Sequence, residues 1–131
     1  MIVLDTHVWI WWVDESKKLS QKSKVTIEQN IEHGLGVSII SCWEVAKLVE
    51  LARLELTLPV REWITAALAY PGVRLLALTP DIAVDSTQLP GEFHRDPADQ
   101  LIVATARFYD SLLLTHDSKL LDYAHVKTVK K

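Results

Sequence analysis

The chain has 131 residues, 49% of them hydrophobic and 24% charged, with 4 Gly, 5 Pro and a formal net charge of −3. Such a chain can bury roughly two thirds of the surface its unfolded form exposes, so one core suffices without disulfide or structural-metal staples. Disordered and collagen-like classes are excluded, and with the single Cys42 neither an intramolecular disulfide nor a four-thiolate zinc site can form.

In chain order, Ile2-Val3-Leu4 reads as a short buried strand ending at Asp5. The following Val8 to Val13 run, which holds Trp9, Trp11 and Trp12, is apolar all round a helix. Most of it is expected in the core, with a tryptophan in a partner or dimer interface as the alternative. Ser20 can cap a helix running to His33 and stopped by Gly34, and Val37 to Ile40 reads as a second strand. Ser41-Cys42-Trp43-Glu44 has capping-box spacing, so Ser41 is expected at the helix cap and Glu44 at its third position. Pro59 opens a helix that Pro71-Gly72 closes, and a third strand spans Val73 to Leu78. Thr79-Pro80 and Asp96-Pro97 are cap pairs, the latter opening a helix to Tyr109. Leu112 to Leu114 and Val126 to Val129 complete five strand candidates. Short apolar strands alternating with helices predict an α/β domain over 1–131, with a parallel sheet of about five strands flanked by helices on both faces.

In open α/β sheets ligands lie beyond the carboxyl ends of the strands, and acids stand there. Asp5 follows the first strand, Glu44 the second, and Asp117 the fourth, while Asp96 and Asp99 open the helix that precedes it. Each has a structural reading as well: Asp5, Asp96 and Asp117 as helix caps, Glu44 as a capping-box member neutralised by Lys47. Asp99 shares a helix face with Ile102, Val103 and Ala106, which turns its carboxylate toward the buried side. Four or five carboxylates around one crevice repel one another unless a cation sits among them. Hard oxygen donors suit Mg²⁺ or Mn²⁺, and an all-acid, water-rich site suits phosphodiester hydrolysis.

The segments Ile2-Val3-Leu4-Asp5-Thr6-His7-Val8, Ser41-Cys42-Trp43-Glu44-Val45-Ala46-Lys47, His94-Arg95-Asp96-Pro97-Ala98-Asp99 through Ala106, and Leu114-Thr115-His116-Asp117 together resemble the PIN-domain ribonucleases, specifically the VapC-type toxins of toxin–antitoxin pairs. The resemblance covers residues 2 to about 121. It implies a five-stranded parallel sheet, Mg²⁺-dependent endoribonuclease activity, a VapB-like antitoxin partner and a homodimer. It also implies that Asp5, Glu44, Asp99 and Asp117 are the catalytic, metal-binding acids, with Asp96 as an additional ligand in the Asp-Pro-x-Asp subgroup. Thr6 and Thr115 would then support the ligands by hydrogen bonds. Ala98 and Gln100 depart from the family, whose members often carry a bulky aromatic and an Arg there.

The acidic balance is sharper in the body, because Lys127, Lys130 and Lys131 lie at the very end. RNA must therefore be held by a few cations, of which Arg95, Lys47, Arg107 and Lys119 are nearest the acids in sequence. An antitoxin Arg entering the acids would switch the enzyme off. His94 and His116 lack a second His or Cys at metal spacing and are read as satisfied residues, while His7 is a substrate-contact candidate. No nucleotide-binding glycine motif, signal peptide or membrane span is visible, and the composition suits the cytoplasm. Two other functions fit parts of the pattern: an aspartyl-phosphate enzyme with Asp5 as nucleophile, which usually carries an acid where His7 stands, and a non-catalytic α/β interaction module whose acids are caps.

Overall fold

The computed structural model describes residues 1–129, so Lys130 and Lys131 of the basic tail lie outside the described residues. Five strands, β1 (Ile2–Leu4), β2 (Leu35–Ser38), β3 (Val73–Leu76), β4 (Leu112–Leu114) and β5 (Thr128–Val129), form one sheet in the order β3-β2-β1-β4-β5. Every pairing is parallel. Among the described residues seven helices connect them: α1 (Thr6–Val13), α2 (Gln21–Asn30), α3 (Ile39–Glu50), α4 (Val60–Leu68), α5 (Pro80–Asp85), α6 (Pro97–Phe108) and α7 (Ser118–Leu121). None is long and apolar enough to cross a membrane.

The expected α/β class and five-stranded parallel sheet are what the chain forms. Strand alternation divides the core into two layers. Ile2, Leu4 and Leu114 face a cluster containing Val8, Trp9, Ile27, Val45 and Trp63, whereas Val3 and Leu113 face Ile102, Val103, Ala106 and Leu120. Trp9 is fully buried, its ring edge-on to Trp63 at a centroid distance of 5.1 Å. Burying each such side chain contributes about 1.5–3 kcal/mol before the entropy of ordering it is set against that. Trp11 and Trp12 are half-buried at the edge of the same layer.

Several boundaries differ from the sequence expectation. The second strand starts at Leu35 and ends at Ser38, and Ile39–Ile40 already belong to α3. The cap of α3 is consequently Ser38, whose Oγ accepts the Ile40 amide at 3.1 Å. Ser41 is a buried residue inside the helix, and the Ser41–Glu44 capping box does not form. A Ser-Ile-Ile-Ser sequence offers two equivalent caps; pairing of Leu35 to Ser38 with Val73 to Leu76 selects the earlier one. Helix α2 is capped by Ser20 but closes at Asn30, before the turn to Gly34. The third and fifth strands are shorter than the expected 73–78 and 126–129. Caps at Asp5, Thr79, Asp96 and Asp117 form as expected.

Candidate active site

β1 is the middle strand, with β2 on one side and β4 on the other, so the chain leaves its carboxyl end at the point where strand order reverses. Asp5 stands there, 6% exposed, its Oδ1 accepting the Thr6 amide at 2.8 Å as the cap of α1. Its Oδ2 accepts the Thr115 hydroxyl at 2.7 Å, and Thr115 Oγ1 in turn accepts the Asp117 amide at 3.0 Å. Glu44 lies on α3, where its Oε1 accepts the Thr6 hydroxyl at 2.5 Å, with Ser41 Oγ 2.8 Å from the same Thr6 oxygen. Asp96 caps α6 by accepting the Asp99 amide at 3.1 Å. Asp99, one turn inside, has its Oδ2 2.7 Å from His94 Nε2.

These five carboxylates line one cavity of about 320 Å³, together with His7, Trp11 and His116. Their environment disfavours charge. Burial pushes Asp5 above the usual carboxylate range, with nearby Asp99 adding to the shift and the Thr115 hydrogen bond opposing it. Burial raises Glu44 to about 7; the Thr6 hydroxyl opposes this, and Asp5, Asp99 and Asp96 reinforce it. Asp99 is likewise raised, first by burial and then by Asp96 and Asp117, against the His94 hydrogen bond. Three acids raised by burial and by one another in one crevice are a functional-site signature.

The donor set fits a hard divalent cation: carboxylate oxygens supported by hydroxyls, with no thiolate at the cavity. As the side chains stand, no three His, Cys, Asp or Glu groups among the described residues are gathered closely enough to hold an ion. Glu44 is hydrogen-bonded to Thr6 and Asp99 to His94.

The expected cations are less well placed. Lys47 pairs with Glu50 at 2.6 Å, not with Glu44, because the i,i+3 partner lies on the exposed side of α3 while Glu44 points inward. It still lines an adjoining cavity that shares Glu44 and Asp96. Arg95 is exposed and outside the acid cavity's lining. Arg107 donates to the His125 carbonyl and lines a separate cavity. The sequence reading overlooked Arg53, which lines cavities on two flanks of the acids. Its only signal was a lone Arg after a helix, which spacing does not mark. Gln100, where the resemblance led one to expect Arg, donates to the His94 carbonyl at 3.1 Å and so steadies the residue bonded to Asp99.

A PIN domain model matches residues 2–126. The chain is 38% identical to Ribonuclease VapC22 of Mycobacterium tuberculosis over 128 residues, which covers 98% of this chain and 95% of that protein. Among solved structures, VapBC2 from Rickettsia felis bound to a promoter DNA fragment superposes with a TM-score of 0.72 at 14% identity, covering 98% of each chain. FitAcB from Neisseria gonorrhoeae gives 0.69 at 22% identity, with 99% of this chain and 97% of that one covered. At such identities the structures establish a shared fold, and the curated relative adds sequence kinship along nearly the whole length. This chain belongs to the PIN-domain family and, within it, to the VapC-type proteins.

Proposed function

We propose that the protein is a metal-dependent endoribonuclease, the toxin of a toxin–antitoxin pair, acting in the cytoplasm as a homodimer restrained by a VapB-like antitoxin. The observation that carries the reading is the convergence of Asp5, Glu44, Asp99, Asp117 and Asp96 on one cavity at the strand ends, with three of them raised by burial and by one another. Kinship with a ribonuclease supports the substrate class, and structural neighbours solved as toxin–antitoxin complexes support the partner. A cavity lined by acids is also the natural receptor for an antitoxin Arg, which pairs with carboxylates in planar, bidentate geometry.

Asp5, Glu44, Asp99 and Asp117 would hold Mg²⁺, or Mn²⁺ in its place, with Asp96 at the edge. When bound, such an ion makes water acidic enough to attack at neutral pH and offsets charge on the phosphate oxygens. The chain's own groups do the positioning. Thr115 fixes the Asp5 carboxylate and the Asp117 backbone relative to each other, and Thr6 fixes Glu44. Arg95 and Lys47 are peripheral contacts for RNA phosphates.

Purified, antitoxin-free protein incubated with single-stranded RNAs should cleave them with Mn²⁺ or Mg²⁺ and fail to do so in EDTA. Asp99→Asn should abolish cleavage; undiminished cleavage by that variant would overturn the mechanism. An interaction module whose acids only cap helices would bind no Mn²⁺ in a calorimetric titration.

A further inference from the structure

Beside the acid cavity lies a larger one of about 540 Å³, and Glu44 and Asp96 form the wall between them. Its volume falls in the range of small-ligand sites. Trp43, Leu48, Pro97 and Ala98 supply an apolar lining, and Lys47 and Arg53 supply positive charge. Trp43 is 55% exposed, one residue before Glu44 on α3. An indole left in water beside the acid cavity, in no ring contact among the described residues, is a stacking surface.

Arg53 arrives there through a tight reversal of the chain. Helix α3 ends at Glu50, Ala52 takes a left-handed φ of 56°, and the Arg53 amide donates back to the Leu48 carbonyl at 2.8 Å. This C-terminal turn folds residue 53 back against the end of α3. From that position Arg53 lines both the Trp43 cavity and a third one, of about 470 Å³, that holds His7, Trp11 and Lys18. The acid cavity thus shares Glu44 and Asp96 with the first and His7 and Trp11 with the third, and Arg53 belongs to both flanks. Arg53 enters no ion pair among the described residues, and the exposed Lys47–Glu50 pair is weak enough to open.

An accessible aromatic face and two cations, in a cavity that shares Glu44 and Asp96 with the acid crevice, match one kind of occupant. A duplex hides the faces of its bases, whereas a single strand offers them for stacking while its phosphates follow the basic side chains. We infer that the Trp43–Arg53 cavity is a nucleotide subsite for single-stranded RNA: a base next to the scissile phosphate stacks on Trp43, and its flanking phosphate pairs with Arg53 and Lys47. The inference rests on the ribonuclease reading and adds to it the residues that place the substrate.

The test is fluorescence anisotropy of a labelled 12-nucleotide single-stranded RNA in EDTA, where no cleavage occurs, with full-length wild type, W43A, W43F and R53Q. W43A should weaken binding about tenfold with an unchanged salt slope, and W43F should retain most of the affinity. R53Q should weaken binding and flatten the plot of log K against log salt by about 0.7. Circular dichroism on each variant separates loss of fold from loss of the contact. If wild type cleaves RNA and W43A and R53Q bind it as wild type does, the subsite is overturned while the ribonuclease reading stands. If wild type cleaves nothing yet binds RNA through Trp43, the subsite stands and the ribonuclease reading falls. If W43A keeps its RNA affinity but loses a protein partner, the cavity is a protein-docking face and the inference is overturned.

Discussion

The Thr115 hydroxyl donates to Asp5 Oδ2 across 110 residues of chain, at 2.7 Å, and Thr115 Oγ1 itself accepts the Asp117 amide at 3.0 Å. One buried side chain just past the end of β4 therefore sets the spacing of two acids. Thr115→Val keeps the shape and removes both bonds. It should lower Mn²⁺ affinity and RNA cleavage by about 10–100-fold, whereas Thr115→Ser should keep most of both. Calorimetric metal titration and initial cleavage rates of the two variants check this.

Stability without metal should fall as pH rises. Glu44 is raised from 4.5 to about 7 in the folded chain, so between those values the folded state holds more protons than the unfolded one. The slope of stability with pH is negative under that condition, and the loss is complete once pH passes about 7. Asp5 and Asp99 are raised too and act in the same direction from the lower end of the window. A decline of on the order of 1–2 kcal/mol is expected after allowance for solvent screening. Urea unfolding in EDTA at pH 5 and pH 8 measures it, and greater stability at pH 8 would contradict it.

Divalent ions should reverse that trend. An ion that binds only the folded chain stabilises it in proportion to the logarithm of its concentration over Kd, and it binds best when the acids are ionised. The rise in melting temperature on adding Mn²⁺ should be larger at pH 8 than at pH 5. Glu44→Gln should show the opposite balance, with higher stability than wild type in EDTA at pH 8 and little gain from Mn²⁺. Its cleavage rate should fall at least a hundredfold.

Ala52 carries a side chain in the left-handed region, φ 56°, where glycine fits without steric cost. Ala52→Gly should therefore leave the turn intact and change stability by less than about 1 kcal/mol, in the stabilising direction where strain relief exceeds the extra chain entropy. Ala52→Val, β-branched at the same φ, should destabilise by at least about 1 kcal/mol and weaken RNA binding by displacing Arg53. Denaturation midpoints and the anisotropy assay read both effects.

Much of the layout was legible because local rules and the global fold agree. Ile2–Leu4 and Leu112–Leu114 are short apolar runs with no competing periodicity, and Asp5, Asp96 and Asp117 follow cap rules that depend on a few neighbouring residues. The start of α3 was misplaced because Ser38 and Ser41 are equally good caps in isolation, and sheet register, a long-range property, decides between them. The gathering of acids at strand ends followed from topology. What they bond to did not, since the Thr6–Glu44 and His94–Asp99 contacts depend on rotamers. Arg53 was invisible for the same kind of reason: its position is created by the backbone reversal at Ala52.

The placement of β1 between β2 and β4 has a consequence for biosynthesis. A chain still emerging from the ribosome, ended before Leu112, leaves β1 as an exposed sheet edge and lacks Thr115 and Asp117, the residues that brace and complete the Asp5 corner. The acid cavity is therefore complete only once β4 has paired with β1 and brought Thr115 and Asp117 to Asp5.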